Sequence, residues 1–526
     1  MESPLPRKKL EGYEFYREVL GSPKFIVAPM VDQSELAFRR LTRRYGAQLV
    51  YTPMISAKMF ADTTHKYYRE QYFDIASGEE GAASLPSSSD TDRPLIVQFC
   101  ANDPDALLKS AKLVEAHCDA VDINLGCPQD IARRGHYGSF LQDEWDLIYT
   151  MSVYSPAVQF TTTKNKSQVN TLHKNLTVPV TAKFRVFPDI EKTVEYAKML
   201  ERAGAQIITC HGRTREQRGQ NTGLASYAHI AAVKRAVSIP VFANGNILFA
   251  ADIQRCLDET GADGVMSAEG VLYNPSLFRG LSSSSSHPTS TSTPTSTMPS
   301  PTSTSRQKHY ELDTPATVAT LALEYLSIVR AQRTRTSPSA VKGHLFKILR
   351  PALGRERYHD LREQIGKVRV DVPRRLEVRK AGGKEAQVQE EGEEAWTWVD
   401  TYARIVEEVQ VRLEDDARVA TEDGRIALEE LVRTDEKTGL DLLPWWIAQP
   451  YFRPLPVPVA GKKGKDKEPT SETRKEKELL HDSTNSNSNV AEPGCVPAKR
   501  SLPEETGFDG QGNDDASMKR VKVGDL

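Results

Sequence analysis

Between Phe25 and Val271, short apolar runs alternate with amphipathic stretches of helical period. The runs are Phe25–Met30, Leu49–Met54, Pro94–Phe99, Ala120–Cys127, Pro179–Val186, Ile207–Arg213, Pro240–Ile247 and Gly264–Val271. Such runs suit parallel strands buried on both faces. Helix signals lie between them. Ser34–Tyr45 opens on a capping serine, and Asp103–His117 opens with Asp-Pro. Thr193–Ala203 ends at Gly204, and Ala250–Thr260 ends at Gly261, each a C-cap signal. Eight strands alternating with helices predict an α/β fold, the (β/α)8 TIM barrel, over residues 1–280. The competing open doubly wound sheet calls for a Gly-x-Gly-x-x-Gly turn after a strand, and the chain has none.

Polar residues interrupt the apolar pattern where the strands end. The first run leads into Pro29, Met30, Val31, Asp32 and Gln33, and the third carries Gln98. The fourth ends in Asn124 and Cys127, the fifth carries Lys183 and Arg185, and the sixth ends in His211-Gly212-Arg213. The seventh ends in Asn244-Gly245-Asn246 and the eighth in Glu269-Gly270. In a barrel these ends share one mouth, where chemistry is found. Gly126-Cys127-Pro128 sets a thiol there, followed by a Gly-punctuated loop with two adjacent cations, Arg133 and Arg134. Lys183 and Arg185 alternate on one strand and so share a face, which favours an anionic ligand over a core ion pair. Plainer readings compete. A free cysteine is often a small buried hydrophobe, the reading favoured for Cys118 and Cys256. A strand lysine can be a structural ion pair or a Schiff base, and a lone histidine can be hydrogen-bonded structure.

Composition adds limits. The 526 residues carry a formal net charge of −2, so no global field marks a partner. Six cysteines with no Cys-x-x-Cys pair argue against a zinc module and a disulfide framework. No metal site is expected. No apolar run reaches a membrane-spanning length of about 18 residues, so a soluble, intracellular, monomeric protein without membrane association is expected.

Read in order, Ala28-Pro-Met-Val31, Gln98-Phe-Cys100, Asn124-Leu-Gly-Cys-Pro-Gln129, Ala182-Lys-Phe-Arg185, His211-Gly-Arg-Thr214 and Asn244-Gly-Asn246 closely resemble the tRNA-dihydrouridine synthases. The fourth of these blocks looks like the eukaryotic branch acting on uridines 16 and 17 of the tRNA D-loop. The resemblance covers residues 20–280 and extends to Lys342-Gly-His-Leu-Phe-Lys347 and Leu443-Pro-Trp-Trp446. It implies reduction of the uracil C5=C6 bond, with hydride from FMN that NADPH or NADH reloads. It assigns the proton to Cys127 and sets Lys183 by the flavin pyrimidine edge. Gln98 and His211 would contact the flavin, and Pro29, Met30 and Val31 would line it. Asn244, Gly245, Asn246, Glu269 and Gly270 would surround its phosphate, Glu269 through its main chain. Asn124, Arg133, Arg134 and Arg185 would meet the substrate. Two rivals stand beside this reading: a flavin barrel acting on a free pyrimidine, like the dihydroorotate dehydrogenases, and a catalytically inactive tRNA-binding factor.

The second half is organised differently. Ser282–Ser305, within a linker at 281–312, is almost wholly Ser, Thr and Pro and cannot bury a core, so disorder is expected. A helix is expected from Thr314-Pro315, with Val318, Leu321, Ala322, Tyr325, Ile328 and Val329 on one stripe; a second carries Val341, Leu345, Ile348, Leu349 and Ala352. Residues 330–380 hold fifteen Lys/Arg against five Asp/Glu, and residues 381–440 hold seven against seventeen. A basic helical module at 313–380 is therefore expected to grip tRNA through Lys342, Lys347, Arg350, Arg355, Arg357 and Arg362. The acidic stretch reads as an insertion within 381–457, with no assignable role. The Trp-Trp segment, Leu443–Phe452, is expected to pack back on the body. From 458 onward the tail reads as disordered, and Lys499-Arg500 with Lys519–Lys522 resembles a bipartite import signal, giving an expected location in nucleus and cytoplasm.

Two stretches depart from the pattern. Residues 75–92, rich in Gly and Ser, read as a surface insertion. Residues 150–169 interrupt a stripe begun by Trp145, Ile148 and Tyr149. Excising them brings Leu172 into register 152, so an insertion, or a translated intron, is expected there.

Overall fold

The computed structural model describes residues 9–83, 91–148, 168–219, 222–281, 317–370, 396–436 and 438–452. The linker 282–316, the bulk of the 150–169 segment, the tail and its basic clusters lie outside these residues. The barrel strands are β1 Phe25–Val27, β2 Val50–Tyr51, β3 Ile55–Ser56, β4 Leu95–Cys100, β5 Ala120–Leu125, β6 Val180–Arg185, β7 Ile207–His211, β8 Val241–Asn244 and β9 Gly264–Ser267. They run parallel in the order β1-β9-β8-β7-β6-β5-β4-β2. Both β2 and β3 pair with β4. They are two halves of the expected second strand, divided at Pro53, which has no N–H for a ladder. The ring closes where Ile26 bridges Leu49, supported by the Val27 amide donating to the Leu49 carbonyl and the Gln48 and Leu49 amides donating to Phe25.

The N-terminal end of the barrel is plugged. The helix Gly12–Glu18 and the turn after it bury Phe15, Tyr16 and Leu20 against Ile26, Tyr51, Ile96, Ala120, Ile207, Phe242 and Met266. The Tyr16 hydroxyl donates to the carbonyls of Pro23 and Asp263. The opposite, C-terminal end therefore remains as the mouth.

Local signals were mostly kept, with corrections. Asp103 caps Pro104–Val114 by accepting from the Asp105 and Ala106 amides. Gly204 and Gly261 end their helices at φ +111° and +64°. The helix expected from Thr193 starts earlier, at Ile190, because Asp189 accepts from the Lys192 amide. Ser34 does not cap its helix, which is Leu36–Arg44; its hydroxyl closes on Met30, accepting from that residue's amide and donating to its carbonyl. The first helix of the second half is Val318–Ala331, capped by Thr317. The interrupted stripe resumes at Gln168–Asn175, earlier than the expected boundary, because Val169 as well as Leu172 is buried beside Ile148.

Residues 75–92 do more than cover the surface. Arg39, wholly buried, holds Asp92 at 2.7 and 2.8 Å and Glu80 at 2.5 Å, while Arg40 meets Glu79 at 3.3 Å. Glu79 also accepts from the Thr334 amide of the helical half at 2.7 Å. Buried carboxylates need such partners, and the ends of the segment supply them to the barrel's arginines.

The acidic stretch is likewise structural. Its helix, Thr397–Ala420, buries Trp398, Val399, Tyr402, Val406 and Val409 in the same core as Leu321 and Tyr325. It pairs with the basic module through Arg330–Asp400, Arg357–Asp415, Arg357–Asp416 and Arg412–Asp360. A boundary at residue 380 thus falls within one packed unit. In the Trp-Trp segment the Trp446 carbonyl accepts from the Val318 amide, and Trp445 Nε1 donates to Asp416 at 2.9 Å.

Candidate active site

The helical unit docks beside the first barrel loop. His344, on Pro338–Ile348, stacks on Phe38 with ring centroids 4.2 Å apart and meets Glu35 at 3.1 Å. Glu35 also accepts from the Tyr325 hydroxyl at 2.7 Å. Burial pushes Glu35 up, but His344 and Tyr325 hold it net below the usual carboxylate range. Lys347, one turn further on, donates to Gln33 at 2.8 Å and so reaches the mouth.

The mouth holds a cavity of about 730 Å³, within the usual range for small-molecule sites. Met30, Val31, Cys127, Lys183, His211, Asn244 and Gly270 line it, with Arg185, Arg213, Asp252, Arg255 and Glu269. Pro29, Asn124, Gly245, Asn246 and Lys347 complete the set of expected residues on its walls.

Cys127 is held from both sides. Asn124 Oδ1 accepts from the Gly126 amide at 3.1 Å and the Cys127 amide at 2.9 Å. Behind it, the Cys127 carbonyl accepts from the Ser139 amide and hydroxyl. Gly138, at φ +65°, allows that approach, since a Cβ there would fall 2.8 Å from the same carbonyl. Burial pushes the Cys127 thiol up, against the pull of the Gln129 amide, Arg185 and Lys183, so it holds its proton at neutral pH.

Lys183 donates to Asn244 Oδ1 at 2.9 Å, and Asn244 Nδ2 donates to the Met266 carbonyl. Burial and Arg185 push the Lys183 ammonium down to about 8. Arg185, pushed down to about 10 by burial and Arg213, donates to the carbonyls of Thr214 and Gln217, bracing the loop after β7. His211 is driven well below its ordinary value by burial and three cations, so it is neutral. Arg213 has no acceptor, so its guanidinium donates to His211 Nε2 at 3.2 Å and the ring proton sits on Nδ1. Arg213 also holds Asn246 at 3.0 Å.

Several expected residues are placed differently from the expectation. Gln98 is fully buried beneath Asn124 rather than on the cavity wall. Its amide donates to Asp122 at 2.7 Å and accepts from Asn124 at 2.8 Å. Glu269 and Gly270 begin a short helix, Glu269–Tyr273, instead of ending a strand. Arg133 and Arg134 are exposed on Asp130–Gly135 away from the cavity, and Arg133 meets Asp130. Lys342 donates to the Gly366 carbonyl, at the end of His359–Lys367. Arg350 lies over the Tyr451 ring, 4.0 Å from its centroid.

Sequence reasoning passed over Asp122, the wholly buried centre of this network, which Thr181 and Gln98 bond and which burial pushes up to about 6. A carboxylate two residues before Asn124 in an apolar strand was the available signal. It named Arg213 at the mouth without giving it a role, and passed over Tyr451, which is brought to the cavity from far along the chain. Among the described residues no helix is long and apolar enough to cross a membrane, and no cluster of His, Cys, Asp and Glu could hold a metal.

A parallel barrel with an apolar plug below and a thiol, an ammonium and oriented amides around one cavity has the build of a barrel enzyme. The sequence specifies which: residues 26–316 match the dihydrouridine synthase (Dus) family, and the chain belongs to it. It is 42% identical over 455 residues to the tRNA-dihydrouridine(16/17) synthase of Saccharomyces cerevisiae, covering 85% of this chain and 88% of that protein. It is 40% identical to the Mus musculus tRNA-dihydrouridine(16/17) synthase-like protein, covering 85% of this chain and 72% of that one. The Schizosaccharomyces pombe tRNA-dihydrouridine(16/17) synthase is 39% identical, with 87% and 94% covered.

Proposed function

We propose that this protein reduces uridines 16 and 17 of the tRNA D-loop to 5,6-dihydrouridine, with FMN as the resident flavin, NADPH or NADH as reductant, and Cys127 as the proton donor. One observation carries the reading: a protonated thiol and a partly buried ammonium line one cavity at the mouth of a dihydrouridine synthase barrel. The names of the yeast, mouse and fission-yeast relatives supply tRNA, positions 16/17 and NAD(P).

The residues suit a flavin mononucleotide. Met30, Val31 and Met266 offer apolar walls, Lys183 and Asn244 a polar edge, and Arg213 and Arg255 cations for a phosphate. When bound, reduced flavin supplies a hydride to uracil C6. Lys183 would stabilise negative charge on the ring edge that faces it. Neutral His211 can donate through Nδ1 but adds no charge there. Cys127 delivers a proton to C5, and Asn124 Oδ1, accepting from the Cys127 amide, fixes the backbone from which the thiol projects. A positioned acid of this kind contributes about 10²–10⁴-fold.

The test uses purified holoenzyme and unmodified tRNA transcript. Flavin absorbance and mass analysis of the released cofactor should identify FMN. Cys127→Ala should lower dihydrouridine formation by about 10²–10⁴-fold while reduction of the flavin by NADPH persists. Unchanged turnover in that variant removes the acid assignment. Site-resolved mapping of the modified base in a deletion strain, with loss at positions other than 16 and 17, removes the positional assignment.

A further inference from the structure

Resting on FMN as the resident flavin, we propose that residues 440–452 form a strap across the flavin site, with Leu440 and Tyr451 against the cofactor, and that this strap retains it.

Strand ends and the loops that follow them make most of the cavity wall. Among the described residues, three lining side chains come instead from the second half of the chain: Lys347, Leu440 and Tyr451. Leu440 and Tyr451 stand at the two ends of one compact stretch. Leu440 closes a hairpin in which Arg433 faces Leu442 and Thr434 faces Asp441. In its turn the Asp435 amide donates to the Leu440 carbonyl and the Gly439 amide donates to the Asp435 carbonyl, both at 2.8 Å. Beyond it, Gln449 ties the stretch into a loop. Its Oε1 accepts from the Leu443 amide at 3.1 Å, and its Nε2 donates to the Leu443 carbonyl at 2.9 Å. These bonds make one piece that carries both cavity residues together.

The piece is fastened on two sides. The Ile447–Thr317 bridge and the Trp445–Asp416 hydrogen bond hold it to the helices. On the barrel side Tyr451 meets Tyr273 and Phe452 meets Phe249, with ring centroids 5.5 and 5.7 Å apart. The Arg350 guanidinium covers the first join, 4.0 Å from the Tyr451 centroid and 6.0 Å from that of Tyr273. Phe249 is fixed in turn, because Asp252 accepts from its amide at 2.9 Å. Phe249, Arg255 and Tyr273 all line the cavity, so the strap rests on the loops after β8 and β9, where barrels often hold a phosphate. Small-molecule sites cover about 70–90% of their ligand, more than a mouth of strand ends offers a flat ring system. The half-buried Leu440 and Tyr451 side chains add cover from outside the barrel. A resident flavin must stay through reduction by the nicotinamide and oxidation by uracil, and such cover acts mainly on its rate of escape. The coupling is reciprocal: a strap that holds the flavin is itself held by it.

The experiment measures the rate at which FMN leaves the full-length holoenzyme, by recovery of flavin fluorescence on dilution, and the FMN Kd by titration back. Tyr451→Ala and Leu440→Ser should each speed release and raise the Kd several-fold, and together by at least about tenfold. Tyr451→Phe keeps the ring and should match wild type. Trp445→Phe removes the Asp416 hydrogen bond from the same stretch but no part of the cavity wall. It should lower the melting temperature with or without FMN and leave release unchanged. In deuterium exchange, bound FMN should slow the Gly439 and Leu443 amides of the wild type, and much less so those of Tyr451→Ala. Leu440→Ser and the wild-type exchange serve if Tyr451→Ala fails to fold. Wild-type release from the double variant, or equal exchange of those two amides with and without FMN, overturns the proposal. So does a Trp445→Phe protein that loses flavin as fast as Tyr451→Ala, since general loosening would then account for both. Wild-type protein that carries no flavin and takes none up would instead defeat the reading on which the proposal rests.

Discussion

The Cys127 thiol and the Lys183 ammonium respond to burial in opposite ways. Burial raises the thiol and lowers the ammonium, the latter to about 8. As pH rises, Lys183 should therefore lose its charge while Cys127 still holds its proton. The rate of uracil reduction should fall as pH passes through about 8, and Lys183→Arg, whose guanidinium stays charged, should move that limb upward in a pH–rate profile. Asp122 makes a second prediction. It only accepts hydrogen bonds, so it fixes the amide of Gln98, which fixes that of Asn124, which holds the Cys127 amide. Asp122→Asn should let these amides reverse, increase the rate at which iodoacetamide alkylates Cys127, and cost about 1–3 kcal/mol in denaturant unfolding. The native carboxyl is raised to about 6 by burial. Its contribution to stability is thus fullest below about pH 4 and is lost as pH rises through about 6, a dependence that should vanish in Asp122→Asn. Much of this site was legible because polar residues closing apolar strands mark a barrel mouth. The depth of Gln98 was not, since only the overlying Asn124 decides it.

At the level of elements, strands and helix ends followed from local chemistry, whereas ion pairing between distant segments did not. Gly and Ser made residues 75–92 look like surface, yet Glu79, Glu80 and Asp92 are counterions for Arg39 and Arg40, which lie dozens of positions away in the chain. Burial and Asp92 push the Glu80 carboxyl up, and Arg39 pulls against them. Arg39→Met should leave the Glu80 and Asp92 carboxylates buried without their cation and destabilise the protein by about 3–5 kcal/mol in chemical denaturation. A loss below about 1 kcal/mol would mean that water or protonation relieves them. The helix Thr397–Ala420 teaches the same lesson: an acidic run looked like an addition because its apolar stripe, Trp398, Tyr402, Val406 and Val409, was hidden by the charge count.

Across the whole molecule, a near-zero net charge conceals a directed arrangement. The described basic helices, residues 330–370, and the acidic helix pair with each other through Arg330, Arg357 and Asp360. Both blocks were visible in the sequence, but the pairings between them were not. The helical unit reaches the first barrel loop through Glu35 and His344. Replacing His344 with Ala should lower the melting temperature and raise the KM for tRNA, because it removes the stack on Phe38 and leaves the Glu35 carboxylate with Tyr325 but without the imidazole. Comparable thermal melts and KM would show the two halves to be held by apolar packing alone.

The barrel's one abbreviated seam sets how this protein comes apart. Neighbouring staves are laced by ladders, but the first and second meet at a single bridge between Ile26 and Leu49. Strain on the ring should part it there first, and the amides of Val27, Gln48 and Leu49 should exchange with deuterium ahead of those in β5 and β6. Because Met30 and Val31 continue from that same stave into the cavity wall, whatever fills the cavity doubles as a suture across the gap.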